Sequence, residues 1–299
     1  MLRVTVLTSN PWGNAARVAH YIVRALPNVE IVGAIIDTGS RPDRRRQIAR
    51  LRAWHQWGGV SYATWRLYLL LRPTPFRDTG RARYHCSLQQ MGEEFGFPVT
   101  EVTNVNDPSS ARVIRGLSAD VGVSIGNRVI APAIFEIPPL GIINLHHGKI
   151  PDFRGGPPGF WELQAGAKTM GVSVHRIDTK LDHGELLAQG DVSIRADDAP
   201  RTIMERAYDL DYRLVANVLS DLDDGSLIPI AVSMSGSTAN TIPSRAELKA
   251  VRARVGRHLW PDDFRFAPLT EIPVPPRGRD SKRARKEGTM KTRSDSTPG

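Results

Sequence analysis

The chain has 299 residues, 40% of them apolar, with 40 Lys and Arg against 31 Asp and Glu and a formal net charge of +9. That is enough for one large or two smaller domains with a buried core, and it excludes wholesale disorder. A single cysteine, Cys86, excludes a disulfide framework, a multi-cysteine zinc site and an iron–sulfur cluster.

The first ten residues, MLRVTVLTSN, are polar where a signal peptide needs an apolar core. Leu67 to Leu71, the longest apolar stretch, is far too short to span a bilayer. A cytoplasmic protein without a transmembrane segment is therefore expected. Leu2 to Thr8 alternates and is β-branched, a strand that runs into the turn Ser9-Asn10-Pro11-Trp12-Gly13-Asn14. Asn14 is placed to cap a helix reaching Leu26, and Ile31 to Ile36 reads as a second, buried strand. This βαβ opening lacks GxGxxG, so dinucleotide binding is not supported.

Residues 41–52 (RPDRRRQIARLR) hold six Arg and one Asp. Ile48, Leu51, Trp54 and Trp57 fall three apart, one stripe of a basic helix that breaks at Gly58 and Gly59 and resumes from Val60 to Leu71. Such a helix lies on a membrane or a partner, or packs its Trp stripe on its own core; the second is the expectation. Helices then follow over Ser87 to Gly96 and Ser109 to Leu117, with a short strand at Pro98 to Val102 between them. Val121 to Ile125 and Gly141 to Leu145 are short apolar strands, and Phe160 to Ala167 is a short helix. Strands at Gly171 to Ile177 and Glu185 to Ile194 precede a long amphipathic helix from Arg201 to Leu222. A strand (Leu227 to Met234) and a helix (Arg245 to Leu259) close the ordered part. Residues 277–299 hold eight basic and three acidic residues and almost nothing apolar, a flexible tail. The two basic segments carry +5 each, so the rest of the chain is near neutral, at about −1. Strands alternating with helices predict an α/β fold with a parallel-rich sheet and helices on both faces.

The polar residues that carry chemistry crowd between Asn144 and Asp182. Asn144, His146 and His147 follow an apolar strand at its carboxyl end, where open α/β sheets bind ligands. Asn144 and His146 share a strand face, since residues i and i+2 point the same way. An amide donates to a developing oxyanion and an imidazole moves a proton near neutral pH. A carboxylate such as Asp182 orients that imidazole or stabilises its charged form. With no Ser or Cys nucleophile among them, these residues point to direct attack by the substrate. A strand-end Asn-x-His alone is equally well explained by structural capping.

The longer pattern Asn144-Leu-His146-x4-Pro151-x-Phe153-Arg154-Gly155, Gly171-Val172-Ser173-Val174-His175 and Leu181-Asp182-x-Gly184-Glu185 resembles the 10-formyltetrahydrofolate-dependent formyltransferases. The resemblance is strong over about 120–195, extends to 1–36 as a first βα unit, and is absent over 41–85 and beyond 240. It implies a Rossmann-like formyltransferase fold, with Asn144, His146 and Asp182 as the catalytic trio. An acceptor amine attacks the formyl carbon, Asn144 holds the oxyanion, His146 shuttles the proton, and Asp182 holds His146. Backbone at Arg128, Val129, Ile130, Gly148, Lys149, Ile150, Pro151, Asp178, Thr179, Lys180 and Leu181 is implied to line the pterin pocket, and no metal is implied. Gly148 and Lys149 depart from the family's usual Ser and Leu. His147, on the opposite face, is expected to pack, and His175 to support the site from behind.

The expected organisation is a catalytic domain at 1–225 with the 41–71 insertion, a short extension at 226–270 and a basic tail at 271–299. About fifty residues between the core and the tail are too few for the C-terminal barrel that methionyl-tRNA acceptors need, and the 9–14 turn lacks the glycines of a phosphate cradle. The resemblance therefore points to a small-molecule amine, an amino sugar or natural-product amine, in a chain that can form a homo-oligomer; tRNA is the runner-up. A formyltetrahydrofolate hydrolase would carry a regulatory domain before the first βα unit, which here begins at residue 2. A metal hydrolase using His146, His147, Asp178, Asp182 and His183 is disfavoured because neighbouring His residues on a strand diverge and no H-E-x-x-H occurs. A non-catalytic folate-binding protein is the remaining alternative.

Overall fold

A computed structural model describes residues 1–40, 87–241 and 243–255. The insertion expected at 41–71, Cys86 and the 271–299 tail lie outside the described residues. The chain runs β1 (Leu2–Thr8), α1 (Asn14–Ala25), β2 (Val29–Asp37), α2 (Leu88–Phe95), β3 (Val99–Val102), α3 (Pro108–Leu117), β4 (Val121–Ile125) and α4 (Pro132–Phe135). It continues through β5 (Ile142–His146), β6 (Arg154–Gly155), α5 (Phe160–Ala165), β7 (Thr169–Arg176), β8 (Leu186–Ser193), α6 (Pro200–Asp223), β9 (Ala239–Asn240) and α7 (Arg245–Val255).

Seven strands form one sheet in the order β3-β2-β1-β4-β5-β7-β8. Pairing is parallel from β3 to β5 and antiparallel at β5–β7 and β7–β8. Both faces are covered, which is why the central strands read as nearly continuous apolar runs. Val4, Val6, Val123, Ile143 and Leu145 pack under α1, α2 and α6, while Leu7, Ile35 and Ile142 pack against α3 and α4. The α/β expectation with helices on both faces holds. From β1 the chain builds outward through β2 to β3, then returns to lay β4 and β5 on the other side of β1. That reversal opens a crevice at the carboxyl ends of the strands.

Two local expectations differ. Asn14 is not the cap of α1: Gly13 holds that position with no side-chain cap bond, and the Asn14 amide instead donates to Asp211 of α6. A buried carboxylate is a stronger claimant for that donor than a helix end open to water. Leu227 to Met234 is not a strand; it makes one isolated bridge, Ile230 to Leu186. Pro229 has no N–H to continue a ladder along the edge of β8. By contrast α2 begins as its residues dictate, with Ser87 and Gln90 exchanging side-chain to backbone bonds in a capping box.

Candidate active site

Asn144 and His146 alternate onto one face of β5 near its carboxyl end, and Ile143 and Leu145 onto the other. Antiparallel pairing with β7 sets His175 beside Asn144 and Ser173 beside His146. The β7–β8 connection folds back and brings Asp182 to both histidines. Its Oδ2 lies 3.4 Å from His146 Nδ1, and its Oδ1 lies 3.5 Å from His175 Nε2. The Asn144 amide reaches His175 Nε2 at 3.2 Å.

The hydrogen positions follow from the acceptors. His175 Nδ1 faces the Arg176 carbonyl at 2.8 Å, so it carries the hydrogen and Nε2 accepts from Asn144. This turns the Asn144 amide so that one N–H is anchored and the other is free to donate. His146 Nε2 donates to the Phe153 carbonyl at 2.9 Å, which leaves the Nδ1 lone pair facing Asp182. Burial pushes the His146 pKa below its ordinary value, against the opposing pull of Asp182 and the Phe153 carbonyl. Burial also pushes Asp182 upward, but the neighbouring His175 and His146 rings and the Gly155 N–H outweigh it and bring Asp182 to about 2. At neutral pH the pair is an ionised carboxylate beside a neutral imidazole. A proton arriving at Nδ1 completes a charge-assisted bond to Asp182.

The surrounding loops are bolted in place. Arg154, only 6% exposed, spends its guanidinium on the Leu181 and Asp182 carbonyls and on Ser237. The Gly155 N–H donates to Asp182 Oδ2 at 3.0 Å. Ser173 Oγ donates to the Gly148 carbonyl and accepts from Ile150 N–H, and Gln189 ties Ile150 from the other side. A Cβ on Gly148 would stand 2.1 Å from the Phe153 carbonyl and 2.5 Å from His146 Nε2. Glycine at 148 is thus what lets that carbonyl reach His146.

Part of the chain is similar to known proteins. Residues 83–219 match the family model described as formyl transferase. The methionyl-tRNA formyltransferase of Citrifermentans bemidjiense is 32% identical over 158 residues, 52% of this chain and 50% of that one. The methionyl-tRNA formyltransferase of Kosmotoga olearia is 26% identical over 157 residues, again 52% and 50%. The chain spans about half the length of these curated relatives. In fold it is similar to a sugar N-formyltransferase from Shewanella sp FDAARGOS_354, with TM-score 0.54 and 15% identity over 92% of this chain and 100% of that one. A phosphoribosylglycinamide formyltransferase from Bacillus halodurans gives TM-score 0.52 at 19% identity, over 74% and 94%.

The residues expected at the folate pocket separate into kinds. The Arg128 side chain is held by Asp37, with Nε 2.6 Å from Oδ2. Ile130 and Ile150 are buried walls. Lys149 points away, its Nζ 2.8 Å from Asp191. The Lys149 carbonyl accepts from Phe153 N–H at 2.7 Å, and Pro151 follows a cis peptide bond. Asp178 accepts from Lys180 N–H and meets His183 Nδ1 at 3.0 Å, while Thr179 and Lys180 are exposed. The candidate metal ligands of the disfavoured hydrolase reading stand apart: His146 meets Asp182, His183 meets Asp178, and His147 turns to Asp211, which was not among them. Among the described residues no three such side chains converge.

The sequence reading gave no role to Arg154, the Phe153 carbonyl, Gln189 or Asp211, and it placed His175 only behind the site. A strongly polar residue inside an apolar helix face, as at Asp211 and Glu162, was the one available signal. Glu162 of α5 is 1% exposed, and burial raises it to about 7 against its own N–H, that of Gly159 and nearby His147. A pKa raised on folding contributes stability below about 4.5 that is lost as the pH rises through about 7, some 3 kcal/mol in all. Glu162→Gln is therefore expected to melt above the wild type near pH 8.5, with the gap closing toward pH 5 (about two pH units either side of the transition). Equal gaps at both pH values in thermal melts would rule this out.

Proposed function

We propose that the chain transfers a formyl group from 10-formyltetrahydrofolate to a primary amine of a small-molecule acceptor. The observation that carries this reading is the convergence of a free Asn144 N–H and a neutral His146 with its Nδ1 lone pair exposed to Asp182, with no available nucleophile beside them among the described residues. Ser173, the hydroxyl next to His146, is fully buried and occupied by Gly148, Ile150 and Gln189. Such a site stabilises charge and moves a proton but forms no covalent bond to substrate, as direct amine attack requires.

The residues present suit a folate. Five large apolar side chains are exposed among the described residues, and two of them, Val129 and Leu181, stand on the loops expected to hold the pterin. The bound folate supplies the activated formyl group. Asn144 donates its free N–H to the formyl oxygen as negative charge develops there. His146 takes a proton from the attacking amine at Nδ1 and passes it toward the departing nitrogen. Asp182 holds the imidazolium that forms in between, and the 148–153 loop keeps water from Nε2.

For the acceptor, an amino sugar fits best: the fold likeness to the Shewanella sugar N-formyltransferase extends over 92% of this chain, and another similar structure is a sugar 3N-formyltransferase in the presence of dTDP and 5-N-formyl-THF. Methionyl-tRNA is the second reading, favoured by the 32% identical curated relative. The test supplies 10-formyltetrahydrofolate with dTDP-linked amino sugars, simple primary amines and methionyl-tRNA in parallel, following tetrahydrofolate release and product mass. Release with an amino sugar supports the first reading, and release with methionyl-tRNA alone supports the second. No release with any acceptor, and no folate binding, would sink both.

A further inference from the structure

His147 follows His146 in the chain, yet its surroundings differ in kind. Both nitrogens of His146 face acceptors, the Phe153 carbonyl and Asp182. His147 turns to the other face, where Nε2 lies 2.8 Å from Oδ2 of Asp211, a residue with no exposed surface. A carboxylate only accepts, so Nε2 carries the hydrogen and the lone pair is on Nδ1. No described residue bonds to that Nδ1, and the side chain stays 13% exposed. This is an imidazole oriented by a buried carboxylate with one nitrogen open.

Its position is held from three sides. Asn14, at the head of α1 just after the β1 turn, donates to the same Asp211 oxygen. The Tyr208 ring stands edge-on at 5.8 Å, and Glu162 of α5 lies close enough for its ionisation to feel His147. His146 also feels the charge of His147, so the two imidazoles meet electrostatically at the strand end although they leave it on opposite faces. The His147 ring thus sits at the carboxyl edge of the sheet on the α1 and α6 side, away from Ile130 and the loop it anchors.

We propose that His147, oriented by Asp211, is a further catalytic base of this site and takes a proton at Nδ1 from the ammonium form of the acceptor. The proposal rests on the formyl-transfer reading above. An alkylammonium has no lone pair and cannot attack. His147 removes one proton, the freed nitrogen pair forms the new N–C bond, and the C–N10 bond of the folate breaks. A second amine proton travels through His146 to N10, the third remains on the formamide, and His147 releases its proton to water. The ionisable groups facing the ring among the described residues are Asp211 and Tyr208 of α6, Glu162 of α5 and His146 of β5. One turn along α1, Arg17 is engaged with Asp209 at 3.0 Å.

A purely structural staple predicts something different, and His147→Gln separates the two. The Gln amide reaches the place of Nε2 and still donates to Asp211, so the buried contact survives while the base is lost. With the amine acceptor that the wild type turns over, kcat/KM of the variant is expected to fall about 10²-fold near pH 7. The loss should shrink to within about 5-fold near pH 9.5, where the acceptor amine supplies its own free base. The KM for 10-formyltetrahydrofolate should not move. A pH profile parallel to the wild type, with or without a uniform loss, overturns the role of His147 and leaves formyl transfer standing. Asp211→Asn should reproduce the same pH-dependent loss in weaker form; a fully wild-type profile there would also count against it. No wild-type turnover with any acceptor overturns the formyl-transfer reading itself, and this proposal with it.

Discussion

Asp182→Asn is expected to lower kcat about 10³-fold or more while folate binding stays within a few-fold of the wild type. Asn is the informative replacement because Asp182 sits at φ 47°, a left-handed conformation that Asn tolerates and Ala does not. The variant oxygen keeps the Gly155 N–H, 3.0 Å away in the wild type, and so keeps the loop. Its NH₂ then occupies the place of Oδ1, 3.5 Å from His175 Nε2, and competes with Asn144 for that lone pair. Two functions fail together. His146 loses the negative charge that makes protonation at Nδ1 favourable, and Asn144 loses the anchor that aims its amide. Steady-state tetrahydrofolate release with folate binding measured alongside decides it. A variant retaining more than about a tenth of wild-type kcat would mean that Asp182 is structural.

Asn144→Ala is the second large effect, about 10²- to 10³-fold in kcat, the range for removing one preorganised oxyanion donor. The donor is preorganised through a chain of fixed hydrogens: the Arg176 carbonyl takes His175 Nδ1–H at 2.8 Å, and His175 Nε2 takes one Asn144 hydrogen at 3.2 Å. The remaining hydrogen has its direction set before substrate arrives. Because the free amide contributes only as charge develops, the loss belongs in kcat with KM for folate unchanged. A rise in KM at constant kcat would instead make Asn144 a ground-state binding residue. His175→Ala should follow the same pattern at smaller amplitude, acting through Asn144.

Much of the fold is legible in consecutive residues. The apolar runs Val121 to Ile125 and Ile142 to Leu145, and the box formed by Ser87 and Gln90, announce their elements within a residue or two of where they stand. Where reading failed, a distant group had intervened. Asn14 has the chemistry of a helix cap, but Asp211, 197 residues away, takes its amide. Leu227 to Met234 has the composition of a strand, but beside the edge of β8 its Pro229 lacks the donor that a ladder needs. The candidate site divides in the same way. Asn144 and His146 are paired by the two-residue period of a strand, which any reader of the sequence can count. Asp182 joins them only through family likeness, because nothing local links it to β5.

The sequence by itself therefore determined the α/β class and the strand that carries the candidate site, both written in short-range periodicity, while its longer motifs carried the resemblance to the formyltransferases. The net charge of +9 likewise resolves from sequence into two short basic segments beside a near-neutral body. Only the tertiary structure decided which imidazole nitrogens are occupied and which is open. It took the antiparallel register of β7 against β5 to set His175 beside Asn144, and the return of the β7–β8 loop to bring in Asp182. It took the packing of α6 to place a buried carboxylate under His147. Register and burial are sums over contacts between residues far apart in the chain, and they fix proton positions that no local pattern encodes.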